Sequence, residues 1–181
     1  WNEGFFEIGN WTTSFFTGMG VLAWLDTENE QFISDLGLIE KSYIARMEGD
    51  HAKETMHDLG FLYSLYSVAL YKTTGESRHR DLGLRAARVL ADRFVPEGNY
   101  IRAWGRMDET GSDYAGLAII DCMMNLPLLY WASEESGDPR FKEIAIKHSD
   151  TTLENFIRED DSVYHAFRFG AKRGGENYCG Y

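Results

Sequence analysis

The chain has 181 residues, of which 44% are hydrophobic and 14% aromatic, and it carries a formal net charge of -11. That composition is ample for a packed core and excludes a disordered segment. The acidic balance argues against nucleic acid and against an anionic membrane surface as partners, because both select a basic face.

Helical periodicity dominates and strand signals are weak. A first helix is predicted from Thr13 to Leu25, with Phe15, Phe16, Met19, Val21, Leu22 and Leu25 on a broad apolar face. Gly18 and Gly20 lie inside it and form no phosphate loop. A second helix is expected over about Glu30 to Arg46, where Phe32, Leu36, Ile39 and Tyr43 share one face of a 3.6-residue period. A third runs from near Leu59 to Thr74-Gly75, where glycine supplies a stop. A fourth spans about Arg78 to Phe94 and is closed by Pro96 and Gly98. After a loop rich in Gly, Asp and Trp, a fifth helix is expected to start near Asp121 and end by Gly137, and a sixth covers about Pro139 to Phe156. The apolar run Tyr114 to Ala132 has the length of a membrane span. Asp121 and Pro127 inside it, with three acids just before it, favour a buried helix of a soluble fold.

The helices alternate between nearly all-apolar and amphipathic. Their joints are alike: Trp24 to Glu30, Tyr71 to Ser77 and Trp131 to Gly137 each set an aromatic before a short polar turn. This reads as three diverged helical hairpins, each with a buried inner helix and a charged outer one. Such an arc leaves open ends that need neighbours. The expected architecture is therefore all-α, an α/α toroid seen in part. Residues 1–181 are read as one partial catalytic domain truncated at both ends, since the chain starts without Met and its last ten residues close no helix.

Two acids stand out. Asp121 sits in the apolar run Ala118 to Trp131, and Asp58 stands at the mouth of another, in His57-Asp58-Leu59-Gly60-Phe61. An ionised carboxylate in apolar surroundings is costly unless paired, and burial raises its pKa toward the range useful to a proton donor. Asp is also a favoured N-cap, a role that stabilises a helix by about 1 kcal/mol. Capping and catalysis both remain open on the residues alone. Both acids begin inner helices, and in a toroid those ends face one cavity. Trp11 precedes the first inner helix in the same register, and either a sugar-stacking or a packing role suits it; Trp104 carries the same pair of readings. His148 and His165 flank one loop exit and could meet the cavity, whereas His51 and His79 read as surface residues. No metal-ligand spacing, phosphate loop or dinucleotide fingerprint is present, so neither metal nor cofactor is expected. Cys122 and Cys179 form no disulfide framework.

The combination Asn10-Trp11-Thr12, His57-Asp58-Leu59-Gly60-Phe61, Ile119 to Leu129 and His148-Ser149-Asp150-Thr151-Thr152 resembles the unsaturated glucuronyl hydrolases, glycoside hydrolase family 88. The resemblance implies a barrel of six hairpins, about half of it in this chain. It implies a substrate left by a polysaccharide lyase, an oligosaccharide ending in a 4,5-unsaturated uronic acid, and removal of that sugar by hydration of its vinyl ether. Asp121 would be the general acid and base and Asp58 the second essential acid. Trp11, Asn125 and His148 would line the sugar subsite, with His165 a further candidate. In Asn177-Tyr178-Cys179-Gly180-Tyr181 the chain departs from the family pattern, with Cys179 where a substrate-contacting Gln is usual. A non-catalytic helical repeat protein, or a related toroid enzyme such as an unsaturated rhamnogalacturonyl hydrolase, is the alternative.

Overall fold

The computed structural model describes residues 8–170; Cys179 and its surroundings lie outside them. Helix α1 (Thr13–Thr27) is followed by three short helices, α2 (Gln31–Gly37), α3 (Glu40–Arg46) and α4 (Gly49–Lys53). The single helix expected over 30–46 is thus broken at Leu38-Ile39, just after Gly37. Helix α5 (Leu59–Tyr63) continues through a π turn (Ser64–Val68) into α6 (Ala69–Thr74), and α7 (Ser77–Ala91) returns beside it. Helix α8 (Leu126–Ser136) pairs with α9 (Pro139–Phe156).

Three hairpins result, and their joints are chemically the same. Each apolar helix ends at a residue in the left-handed region: Glu28 (φ 54°), Gly75 (φ 73°) and Gly137 (φ 75°). The N–H of that residue donates to the carbonyl four back, on Trp24, Tyr71 and Ser133 respectively. The preceding hydroxyl (Thr27, Thr74 or Ser136) donates to the carbonyl of Ala23, Leu70 or Ala132. The same hydroxyl accepts the N–H two residues on, from Asn29, Glu76 or Asp138. Carbonyls that a helix end leaves unpaired are thereby satisfied in one repeated way. Glycine fills the left-handed position at two joints; the first uses Glu28.

The core lies between the hairpins. Tyr43 and Tyr66 stack at 3.8 Å, the Tyr63 hydroxyl donates to the Tyr43 carbonyl over 2.8 Å, and Leu90, Leu128 and Leu129 are fully buried. Gly83 of α7 lies under the Trp131 ring, where an added Cβ would come within 2.9 Å. His79, expected at the surface, is buried edge-on to Tyr66, because its helix turns that face toward the tyrosine stack. His51 is exposed. No helix among the described residues is long and apolar enough to cross a membrane.

Short strands fill the loops. β1 (Phe94–Val95) pairs with β2 (Tyr100–Ile101), and β3 (Leu117–Ile119) pairs antiparallel with β4 (Ala166–Arg168), Ile119 opposite Ala166. The fifth helix therefore does not begin at Asp121. That segment leaves β3 as a 3-10 turn (Ile120–Met124), and α-helix starts only at Leu126, with Pro127 in its first turn.

Candidate active site

The loop that carries His57 and Asp58 is fastened by a buried guanidinium. Arg93, at the end of α7, donates to the carbonyls of Arg102, Thr55, Ala103 and Gly105. The His57 N–H donates to the Ala103 carbonyl at 3.0 Å, which ties the two loops together. Nothing in the sequence singled out Arg93, an arginine near a helix end that reads as a surface residue.

Asp121 is placed by the other sheet. Where β3 ends, the Ile120 N–H still donates to the His165 carbonyl at 3.0 Å, so the chain turns into the 3-10 segment beside β4. The two acid-bearing segments then meet at one contact. Gly60 lies against Asn125 so closely that a Cβ on it would be 2.3 Å from the Asn125 Cα. This explains the glycine in His57-Asp58-Leu59-Gly60-Phe61.

Asn125 does more than fill that contact. Its Oδ1 accepts the Phe61 N–H at 2.8 Å, and its Nδ2 donates to the Asp121 carbonyl at 3.4 Å. Phe61 is the third residue of α5, whose N–H an N-cap side chain ordinarily takes. Asp58 stands at that N-cap and makes no capping bond. Asn125, from the next hairpin, has taken over the cap, and the Asp58 carboxylate is released toward Asp121.

His57 Nε2 lies 3.5 Å from Asp58 Oδ1 and 3.4 Å from Asp121 Oδ1. Burial holds the imidazole neutral, its pKa down to about 3, helped by the charge of Arg93 and, once it protonates in acid, by His148. Burial also raises Asp58 to about 6, with the Asp121 charge adding to it and Arg93 opposing. Asp121 is raised by burial, partly offset by His165. Of the two side chains Asp121 is the more open, 44% exposed against 16% for Asp58. Beside them an aromatic wall is built from Trp11, Phe15 and Phe61, with Trp11 5.3 Å from Phe61 and half of it exposed.

The remaining expected site residues divide. His165 is exposed and close enough to Asp121 to act on its charge. Trp104 is half-buried, edge-on to Tyr114. Asn125 and His148 are buried from solvent and hold backbone. His148 Nδ1 accepts the Ile101 N–H at 3.0 Å, and burial lowers its pKa to about 4. Among the described residues both hold the backbone around the site.

No protein-family model matches the chain. It is 36% identical over 169 residues to an unsaturated glucuronyl hydrolase of Bacillus sp. (strain GL1), covering 91% of this chain and 43% of that one. It is 35% identical over 164 residues to an unsaturated chondroitin disaccharide hydrolase of Streptococcus pyogenes serotype M1, covering 91% and 40%. A solved structure of UGL whose name includes the saccharide dGlcA-Glc-Rha-Glc superposes with a TM-score of 0.88 at 33% identity, covering 97% of this chain and 46% of that one. The chain is a relative of the unsaturated glucuronyl hydrolases. It spans about two fifths of the length of the curated relatives it matches. Its three hairpins are part of an α/α toroid, and the all-α expectation holds, with the short strands confined to loops.

Proposed function

We propose that the chain carries the catalytic carboxylates of a glycoside hydrolase that removes a 4,5-unsaturated uronic acid from the end of a lyase-generated oligosaccharide. The observation that carries this reading is the convergence of Asp58 and Asp121, neither employed as a helix cap, around a buried imidazole, with Phe61 of the Asp58 segment packed against the exposed Trp11. Relatives named for unsaturated glucuronyl and chondroitin disaccharide hydrolysis supply the substrate class.

In this mechanism Asp121, the more open acid, donates its proton to C4 of the vinyl ether. It then takes a proton from the water whose oxygen bonds to C5, so the carboxylic acid is regenerated and one water has added across the double bond. The resulting hemiketal opens by breaking C5–O5 to a ketone at C5, which leaves a hemiacetal at C1. Its bond to the aglycone oxygen then breaks, releasing the saccharide as an alcohol and the sugar as a keto acid with an aldehyde at C1. Because the bond attacked is C4=C5, the separation of the acids does not report retention or inversion at C1. Asp58 contacts the substrate, and since like charges side by side cannot both ionise cheaply, the two acids hold one proton between them. Burial and the Asp121 charge favour that proton on Asp58, and it must sit on Asp121 when C4 is protonated. Trp11 offers a ring face for the sugar, and His165 stands at the open side of Asp121. Asn125 and His148 are positioning residues.

The test is Asp121→Asn in the full-length protein, assayed on an unsaturated chondroitin disaccharide by loss of the double-bond absorbance. Turnover falls at least a thousandfold with an unchanged circular dichroism spectrum, on the scale of removing an acid–base group and its electrostatic effect together. Substantial residual turnover would remove Asp121 from the mechanism.

A further inference from the structure

Among the described residues one group of side chains has the donors and the spacing to take a metal ion: His57, Asp58 and Asp121. Spacing along the sequence concealed it, because the donors come from two hairpins and two of them are adjacent residues. Their ligating atoms all lie within 4.8 Å of one another.

The geometry points to a reversible site for a zinc-like divalent ion on the acid pair itself. A tetrahedral zinc with bonds of about 2.0 to 2.1 Å sets its ligand atoms about 3.3 Å apart. The two edges from His57 Nε2, 3.5 Å to Asp58 Oδ1 and 3.4 Å to Asp121 Oδ1, lie close to that figure. The third edge, between the two carboxylates, lies within 4.8 Å. Two further observations point into the same space. His57 is 1% exposed, and Nε2 is aimed between the carboxylates. Asp121 Oδ1 is buried with no hydrogen-bond partner, and a buried acceptor left unpaired calls for a water, a proton or an ion.

The structure also says what kind of site this is. His57 Nδ1 is buried and has no acceptor for its proton among the described residues. Metal-ligating histidines ordinarily donate that proton to a second group, worth about 10- to 100-fold in affinity. Its absence marks an exchangeable site and not a built-in cofactor centre. With three protein ligands the fourth position opens on the exposed side of Asp121. An ion there occupies the oxygen that must carry the proton, so it inhibits. The inhibition rests on the hydrolase reading; the binding does not.

The experiment is titration of the chelator-treated full-length protein with Co2+, followed by its visible absorption and by displacement with Zn2+. One equivalent with the intense bands of a tetrahedral site is expected, weakened at least tenfold by His57→Ala and again by Asp58→Asn. The second variant is nearly isosteric and keeps the test decisive if the first does not fold. No saturable band, or binding that both variants leave unchanged, overturns the site. A parallel assay on unsaturated chondroitin disaccharide should lose turnover with Zn2+ and regain it with EDTA. Binding without turnover in the metal-free protein would sink the hydrolase reading and leave the site standing. Binding with turnover unaffected by Zn2+ would overturn the inhibitory role.

Discussion

Helices α1 and α8 begin from the same kind of sequence and meet opposite fates. Both carry long apolar stretches, and both end at a left-handed residue behind a hydroxyl cap. In α8 Leu128 and Leu129 are fully buried between α7 and α9, whereas in α1 Leu22 is 65% and Met19 61% exposed. Apolarity states what a helix needs; its neighbours decide whether the need is met. The difference also separates the acids from the aromatic wall: the α8 side fixes Asp121 through buried contacts, and the α1 side presents Trp11 at an open face.

The largest effect expected from this contrast is in packing. Leu129→Ala should cost about 2 to 5 kcal/mol, the range for emptying a fully buried leucine site, read as a shift in the denaturant midpoint. Leu22→Ala should cost within about 0.5 kcal/mol if its exposure persists in the whole protein. A cost above about 2 kcal/mol there would show that residues beyond those described cover α1.

Acid separates the two sides as well. His148 is neutral when folded, with its pKa lowered to about 4 from 6.5. The unfolded chain therefore binds the extra proton first. The stability concerned is intact above pH 6.5 and drains away as pH falls toward 4, by about 3 kcal/mol in total. His57 acts in the same direction, and α1 has no histidine. In thermal melts from pH 7 to 4, His148→Gln should flatten this slope, its amide oxygen still accepting the Ile101 N–H. An unaltered slope would remove His148 as its source.

A smaller loss is expected at the cap. Asn125→Ala leaves the buried Phe61 N–H without Oδ1, at a cost of about 1 to 3 kcal/mol. Asp58 is then the nearest N-cap for that N–H, and activity should fall further than stability does. A stability loss with kcat intact would show that Asp58 does not need the exchange of caps.

One glycine substitution made in both regions should change sign. Gly60→Ala drives a methyl into the Asn125 backbone and should cost about 1 to 3 kcal/mol. At Gly18 the new methyl meets Leu65 alone, its side chain at an ordinary 3.5 Å and its carbonyl at 3.8 Å, so the helix should gain up to about 1 kcal/mol. Equal effects at the two sites would refute the close approach at Gly60. Smallest of all, Glu28→Gly should stabilise the first joint by about 0.5 to 1 kcal/mol, relieving a left-handed φ that glycine already fills at the other two. Destabilisation would mean that the Glu28 side chain has a role of its own.

Local order in this chain determined the hairpins. Helix periods, the aromatic-then-polar joints and the glycine stops act within one turn of chain, so they are legible without a structure. So were the two acids, because a carboxylate at the edge of an apolar run stands out at any depth of folding. Whether the acids cap or catalyse was not legible from the local residues alone. A residue at an N-cap is expected to cap, and only the arrival of Asn125 from another hairpin, 64 residues away, releases Asp58. The burial of His79 against Tyr66 and the reach of Arg93 to the Thr55 carbonyl, 38 residues away, share that origin. Each is decided by atoms distant in sequence, where hydrogen bonds and close packing outweigh the weak preferences of the local chain.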